Sequence, residues 1–337
     1  YLTQASDQNF PYSQLVLGFI YFDAKYVERD INKSIHYFTL AANNNNLDAQ
    51  IYLGSIYYDD KYVERDIYKA IHYLTLAADQ NNIDVQYRLG SIYFDNKYVE
   101  RDINKAIHYL TLAADQNNID AQLHLGSIFF KGEYVERDIN KGIYYLTLAA
   151  DQNNIDAQLN LGMIYENGIN IKQDIKKAIH YLSLAAKQNN PRAQYFLGCI
   201  YIDGKYIERD INRAIQYLTM AAIQNHMNSQ FKLGMIYIGE KKLKEAVHYF
   251  QMAANQNDNE AQFFLDIINN KCGNNFQLND KSIQFLSSEA KQKKEAQYFL
   301  ADYYYKNKSI SGNINKAIHY LKLAADQNYP IAQYELG

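Results

Sequence analysis

The chain has 337 residues, two cysteines and a formal charge of −3, with 34 basic and 37 acidic side chains interleaved along it. Two cysteines, Cys199 and Cys272, cannot staple a small disulfide scaffold. No Lys/Arg stripe of the kind nucleic-acid binding needs is present, and no apolar run approaches a membrane span. Scarce cysteine leans the compartment towards the cytoplasm without fixing it, and both ends, in mid-helix by register, read as cut from a longer protein.

The length would suggest two or more globular domains, but an internal repeat overrides that reading. A Leu-Gly pair recurs with its glycine at 18, 54, 90, 126, 162, 198 and 234, a step of 36 residues. Self-similarity at this period means stacked supersecondary units that bury one another's apolar faces. Residues 1–10 read as the tail of a helix. Six near-uniform units follow, with a first helix, A, near 13–23, 49–59, 85–95, 121–131, 157–167 and 193–203. In the unit starting at Ala121, buried-type residues fall at Ala121, Gln122, Leu125, Gly126, Ile128 and Phe129, one continuous helical arc. The opposite arc is where the repeats differ most, His124 being replaced by Arg88, Asn160, Phe196 and Lys232 in other copies.

A second helix, B, is predicted after an Asp cap. Behind Asp66, the residues Ile67, Ala70, Ile71, Leu74, Ala77 and Ala78 keep helical spacing. Asp30, Asp102, Asp138, Asp174 and Asp210 occupy the same place, with Asn313 near the end. Helix B stops at Asn-Asn, as in Asn81-Asn82, Asn117-Asn118 and Asn153-Asn154, where asparagine suits a left-handed turn. All three prolines, Pro11, Pro191 and Pro330, sit in this B-to-A turn, where no helical N–H is needed. Glycine inside helix A beside the recurrent Ala-Ala of helix B points to two closely crossing helices. The seventh unit drops four residues from its A–B loop. In the eighth, Asp266 replaces the glycine and Asn269–Gln277 reads as a loop, so a bend near 266–280 is expected. The ninth, 296–327, recovers the pattern with Ala301 at the glycine site. Regular repeats therefore span 1–228, altered ones 229–295, and regular ones again 296–337, as one domain.

Two groups invite a chemical reading. Histidine recurs at His36, His72, His108, His180, His248 and His319, one per helix B on the exposed arc, interrupted by Tyr144 and Gln216. A metal needs ligands converging within a few ångströms, so solvated histidines are expected, with no metal and no cofactor. The Glu-Arg-Asp trio that starts at Glu28 returns in copy after copy, as a surface charge ladder between repeats. Catalysis instead needs an enclosed pair with shifted proton affinities. No nucleophile elbow, phosphate loop or HExxH element appears, so no catalytic residue is assigned.

The run Ala-Gln-x-x-Leu-Gly-x-Ile-Tyr, then Val-x-x-Asp-x-x-Lys-Ala, then Ala-Ala-x-Gln-Asn resembles the Sel-one-like repeat (SLR) family, relatives of the tetratricopeptide repeat. Ala49, Leu53, Gly54, Tyr57, Val63, Asp66, Lys69, Ala70, Ala77 and Ala78 carry the likeness. The family's second loop glycine is tyrosine here, at Tyr62, Tyr98, Tyr134 and Tyr206, and its first survives at Gly132, Gly168 and Gly204. The resemblance implies an all-α, right-handed α-solenoid (superhelix) of stacked antiparallel helix pairs, nine of them complete. It also implies an adaptor or scaffold role, and an inner curve lined by the A helices.

On that face the stripe at offsets +2, +6 and +9 reads Tyr87, Ser91, Phe94; Leu123, Ser127, Phe130; Leu159, Met163, Glu166; and Tyr195, Cys199, Ile202. Apolar and aromatic residues around a small-residue row would form a trough for an extended or helical peptide. Equally, +2 and +9 could serve only to pack adjacent repeats. A monomeric, non-catalytic scaffold binding a protein or peptide is the expectation. A single-stranded RNA binder would need a basic inner face that is missing, and a hydrolase-type enzyme is the remote third reading.

Overall fold

The computed structural model describes residues 1–25, 27–95, 97–168, 170–271, 280–292, 294–307, 310–327 and 330–336. Every regular element among them is an α-helix, and the chain divides into two compact units, Tyr1–Asp174 and Ile175–Gly337. Cys272, Gly337 and most of the expected loop at 269–277 lie outside the described residues. Within each unit the helices alternate A and B and pack on their neighbours in sequence. In the first unit the A helices are Pro11–Asp23, Leu47–Tyr58, Ile83–Asp95, Ile119–Lys131 and Ile155–Asn167, and the B helices between them are Ile31–Asn43, Ile67–Ala78, Ile103–Asp115 and Ile139–Asp151. The shortened seventh repeat joins Met227–Gly239 to Leu243–Ala254.

Local chemistry sets the ends of these helices. The carboxylate of Asp66 accepts from the Lys69 backbone N–H at 3.0 Å, and Asp30, Asp102, Asp138 and Asp210 do the same in their repeats. That backbone N–H is the main reason the carboxyls of Asp30, Asp66 and Asp102 stay below the usual carboxylate range. Near the C-terminus Gly312, not Asn313, stands at the cap position. Asn313 is the first helical residue, buried, and donates to the Asn307 carbonyl at 3.0 Å. The Asn-Asn pair divides its labour. The first asparagine is left-handed, as at Asn81 (φ 62°) and Asn117 (φ 66°). The second caps the following A helix, Asn118 accepting from Ala121 N–H at 2.8 Å.

The recurrent glycine does mark a close crossing, but its partner is not the Ala-Ala pair. A Cβ on Gly54 would lie 2.7 Å from the Leu74 side chain, and one on Gly126 2.7 Å from Leu146. Gly18 and Gly234 face Phe38 and Phe250 in the same way. The alanines look the other way along the chain. Ala113 and Ala114 cluster with Ala121 and Leu125 of the next repeat. Small residues thus serve both contacts of helix B, one inside the repeat and one between repeats.

A buried glutamine ties three helices together. Gln122 Nε2 donates to the carbonyl of Ala114, at the end of the preceding B helix, at 3.1 Å. Its Oε1 accepts from Gln152, just past the end of its own B helix, at 2.8 Å. Gln50, Gln86, Gln194 and Gln230 repeat both bonds. The Ala114 carbonyl also accepts from the Asn117 backbone N–H at 2.9 Å, so this one side chain adds a second donor to a helix-end carbonyl while it is itself satisfied.

The aspartate at the glycine site of the eighth repeat is accommodated by hydrogen bonds. Ser282 stands where most repeats have alanine and the first has Ser34, and its hydroxyl donates to Asp266 Oδ2 at 2.7 Å, while Gln262 donates to Oδ1 at 3.0 Å. The carboxylate at the glycine site is thus met by a donor from each helix, with Leu286 still buried in the place of Leu146.

Gly126→Ala is expected to lower stability by about 1–3 kcal/mol through overpacking against Leu146, and Gly126→Leu by more. Chemical denaturation of Gly126→Ala, Leu146→Ala and the double variant should give non-additive losses; additive ones would break the assignment. Gln122→Met, close in volume, should cost on the order of 1–3 kcal/mol by removing both bonds and leaving the Gln152 amide without its partner, read from the same curves.

Candidate functional site

The twelve residues of the expected trough do not form one open row. Leu159 is buried and the other eleven are half-buried. In the first unit Tyr87 and Phe94 pack against the core cluster formed by Leu110, Ala121, Leu125 and their neighbours in the next repeat. In the second unit Tyr195 and Ile202 do the same against Leu218, Ala222 and Leu233. Burial, with Cys199 beside it, pushes the Tyr195 phenol up to about 12. At these positions +2 and +9 therefore serve inter-repeat packing.

The +9 row is also roofed by the chain's own loops. Arg101 Nε donates to the Phe94 carbonyl at 2.6 Å, and its guanidinium lies 4.3 Å from the ring centroid of Tyr134 in the next loop. Tyr134 meets Phe94 edge-on at 5.6 Å. Arg65, Tyr58 and Tyr98 repeat the arrangement, with the guanidinium 4.2 Å from Tyr98, and Phe22, Arg29 and Tyr62 do so more loosely. The arginine of the Glu-Arg-Asp trio thus links repeats by cation–π contact and a backbone hydrogen bond, not by a charge ladder. This explains the departure from glycine at Tyr62, Tyr98 and Tyr134: each ring fills the space under its neighbour's guanidinium. At Asn170, which holds that register in the next loop, the carboxamide oxygen turned towards Arg137 accepts from Nη1 and Nη2 at 3.0 and 3.2 Å.

Between these roofed residues the first unit keeps a cleft of about 150 Å³, lined by Phe94, His124, Ser127, Ile128, Lys131, Glu133 and Tyr134. It brings together two of the expected residues, Phe94 and Ser127. Phe94 and His124 meet edge-on at 4.6 Å. Burial is the main cause that lowers the His124 pKa, with Asp95 opposing it. The cleft therefore holds a neutral imidazole, an apolar wall and a charged rim. His124 belongs to the +3 register, outside the expected stripe, and its variation among otherwise near-identical copies was the sequence signal for it.

On the outer arc His36, His72, His108, His180, His248 and His319 are exposed, each edge-on to the tyrosine that follows it at 5.1–5.3 Å. Among the described residues no group of three or more His, Cys, Asp or Glu side chains is placed to hold a metal ion, and no helix is long and apolar enough to cross a membrane.

Stacked A and B helices of one period, joined by repeated contacts, define a helical-repeat solenoid of the kind that typically serves as a protein-interaction scaffold. The Sel1 repeat pattern matches residues 11–46, 47–82, 83–118, 119–154, 155–190, 191–226, 228–258 and 294–329, and the chain belongs to the Sel1 repeat family. Its fold is similar to that of c5321, a protective antigen present in uropathogenic Escherichia coli strains and displaying an SLR fold. The TM-score is 0.80 and the identity 26%, over 99% of this chain and 73% of that one. It is also similar to a Sel1 repeat protein from Oxalobacter formigenes, with a TM-score of 0.69 and 27% identity over 99% and 88% of the two chains. None of the curated proteins matches the chain.

Because the folded-state pKa of His124 lies below the ordinary value of about 6.5, the unfolded chain binds the extra proton more readily. The stability from keeping this ring neutral is complete above about 6.5 and declines as pH falls through that value towards the folded one. His124→Phe, which copies Phe196, should therefore lose less stability than the parent chain between about pH 6.5 and 5 in paired denaturation curves.

Proposed function

We propose that this chain is a non-catalytic scaffold that binds an extended or helical peptide on the A-helix face of its first unit. The cleft beside Ser127 carries the reading. Its wall is apolar and aromatic (Phe94, Ile128, Tyr134), its floor has a hydroxyl, and Lys131 and Glu133 stand at its rim. Such a pocket suits one anchoring side chain, with polar groups fixing the direction of the peptide backbone. The repeats share their packing residues and differ on this face, which separates what holds the scaffold from what meets a ligand.

The test follows from the geometry. Phe94 is unsuitable as a probe, since it packs in the inter-repeat core under Tyr134 and Arg101, and an aspartate there would cost folding. Ser127 is half-buried at the cleft itself. Ser127→Trp should fill the cleft, leave the helical melt near that of the parent, and weaken a partner captured by the intact chain by ten-fold or more. Undiminished affinity in that variant, measured by titration calorimetry, would remove the cleft from the binding site.

A further inference from the structure

The most conspicuous uncompensated charge on the same face is Arg88. It stands in the variable +3 register of the A helix Ile83–Asp95 and is half-buried. Its Nη1 donates to the Ser55 hydroxyl on the preceding A helix at 2.8 Å, and its guanidinium carbon lies 4.9 Å from the centroid of the Tyr58 ring. Among the described residues it makes no other hydrogen bond and no ion pair. The neighbouring Arg65 shows the contrast: it pairs with Asp60 at 3.1 Å, donates to the Tyr58 carbonyl at 2.7 Å and covers Tyr98. A guanidinium carries five N–H donors in a rigid fork; Arg65 finds work for its own, whereas Arg88 leaves most of its donors open.

Burial without a partner has a cost that shows in the proton affinity of Arg88, which desolvation lowers, Tyr58 and Asp59 only partly opposing. Asp59 is close enough to be felt and too far to pair. The positive charge is also singular in its row. The same register holds Val16, Tyr52, His124 and Asn160 in the other copies of the first unit, so one repeat alone presents a cation at this register, held by Ser55 and Tyr58 in a fixed place.

We propose that Arg88 receives a carboxylate of the bound peptide, so that the ligand of this face is an acidic segment with an Asp or Glu side chain seated on the guanidinium between the A helices of the second and third repeats. The assignment rests on the reading of this face as a peptide site. A planar carboxylate accepts two parallel N–H bonds from a guanidinium fork, a match that ammonium or amide groups do not reproduce. Tyr58 holds the fork by its ring and Ser55 by its hydroxyl, so little order is left to impose on binding.

The full 337-residue chain can be tested by fluorescence anisotropy with labelled nonapeptides in matched sets, identical except for Asp or Glu in one set and Asn or Gln in the other. The acidic set should bind at least about ten-fold more tightly. Arg88→Met, which keeps the apolar stem, should erase that preference without moving the thermal melt, and Arg88→Lys should restore part of it. Acidic peptides that bind no better than their amide counterparts, or a preference that survives Arg88→Met, would overturn the assignment. So would tighter binding of a phosphoserine nonapeptide or of oligouridylate, each of which would give Arg88 to a phosphate. Ser127→Trp separates the two levels. If it weakens both sets while Arg88→Met leaves the acidic preference intact, the carboxylate role fails and the peptide face stands. If it changes neither set, the peptide face itself fails.

Discussion

Two helices can cross at this spacing only where one of them gives up its side chain. In repeat after repeat the A helix does so, and a leucine or phenylalanine of helix B takes the vacated space. Glycine inside a helix is unfavourable by about 1 kcal/mol relative to alanine, so its return every 36 residues reflects a contact of larger value. Once that crossing is fixed, the rest of the unit has few choices. The eighth repeat departs from this: Asp266 stands in the glycine's place, and Ser282 and Gln262 donate to its carboxylate.

The contacts between repeats are of another kind. Glutamine, alanine and arginine carry them, through a helix-end carbonyl, a small-residue seam and a guanidinium laid on the next tyrosine. These bonds use up the residues that recur, including much of the apolar row first assigned to a ligand. What remains for recognition is the register where the copies disagree: a valine, a tyrosine, an arginine, a histidine and an asparagine in succession on the first unit. Identical packing with changing faces lets one architecture present different chemistry at each step.

The helices, the aspartate caps and the left-handed asparagines were legible in the sequence, because each is a local property of a few residues read against helical periodicity. The partner of the Ala-Ala pair was not, because it depends on which turn of a neighbouring helix lies opposite, and one-dimensional spacing does not contain that. The same holds for Gln122, legible as buried but not as a three-helix tie, and for Tyr134, legible as a departure from glycine but not as the seat of Arg101. In the trough, Tyr87 and Phe94 look alike in sequence whether they face a neighbour or a ligand, since an apolar residue on a helix arc satisfies either role. Arg88 differed from them in kind. Its charge was visible at once, but only the missing partner around it gave that charge a meaning.

The two bonds of each buried glutamine reach back to the previous repeat and forward within its own. Removing residues 83–118 as a block would join Asn82 to Ile119, where Asn82 already caps a helix as Asn118 does. Gln122 would then meet the Ala78 carbonyl in place of Gln86, and the seam would close unchanged. An excision of 35 or 37 residues from the same starting point would add or remove one residue between the Asn82 cap and Gln122 and break the bond at that junction. Whole steps leave the seam intact, whereas a fractional one fits where no helix register is fixed, as in the shortened A–B loop of the seventh repeat.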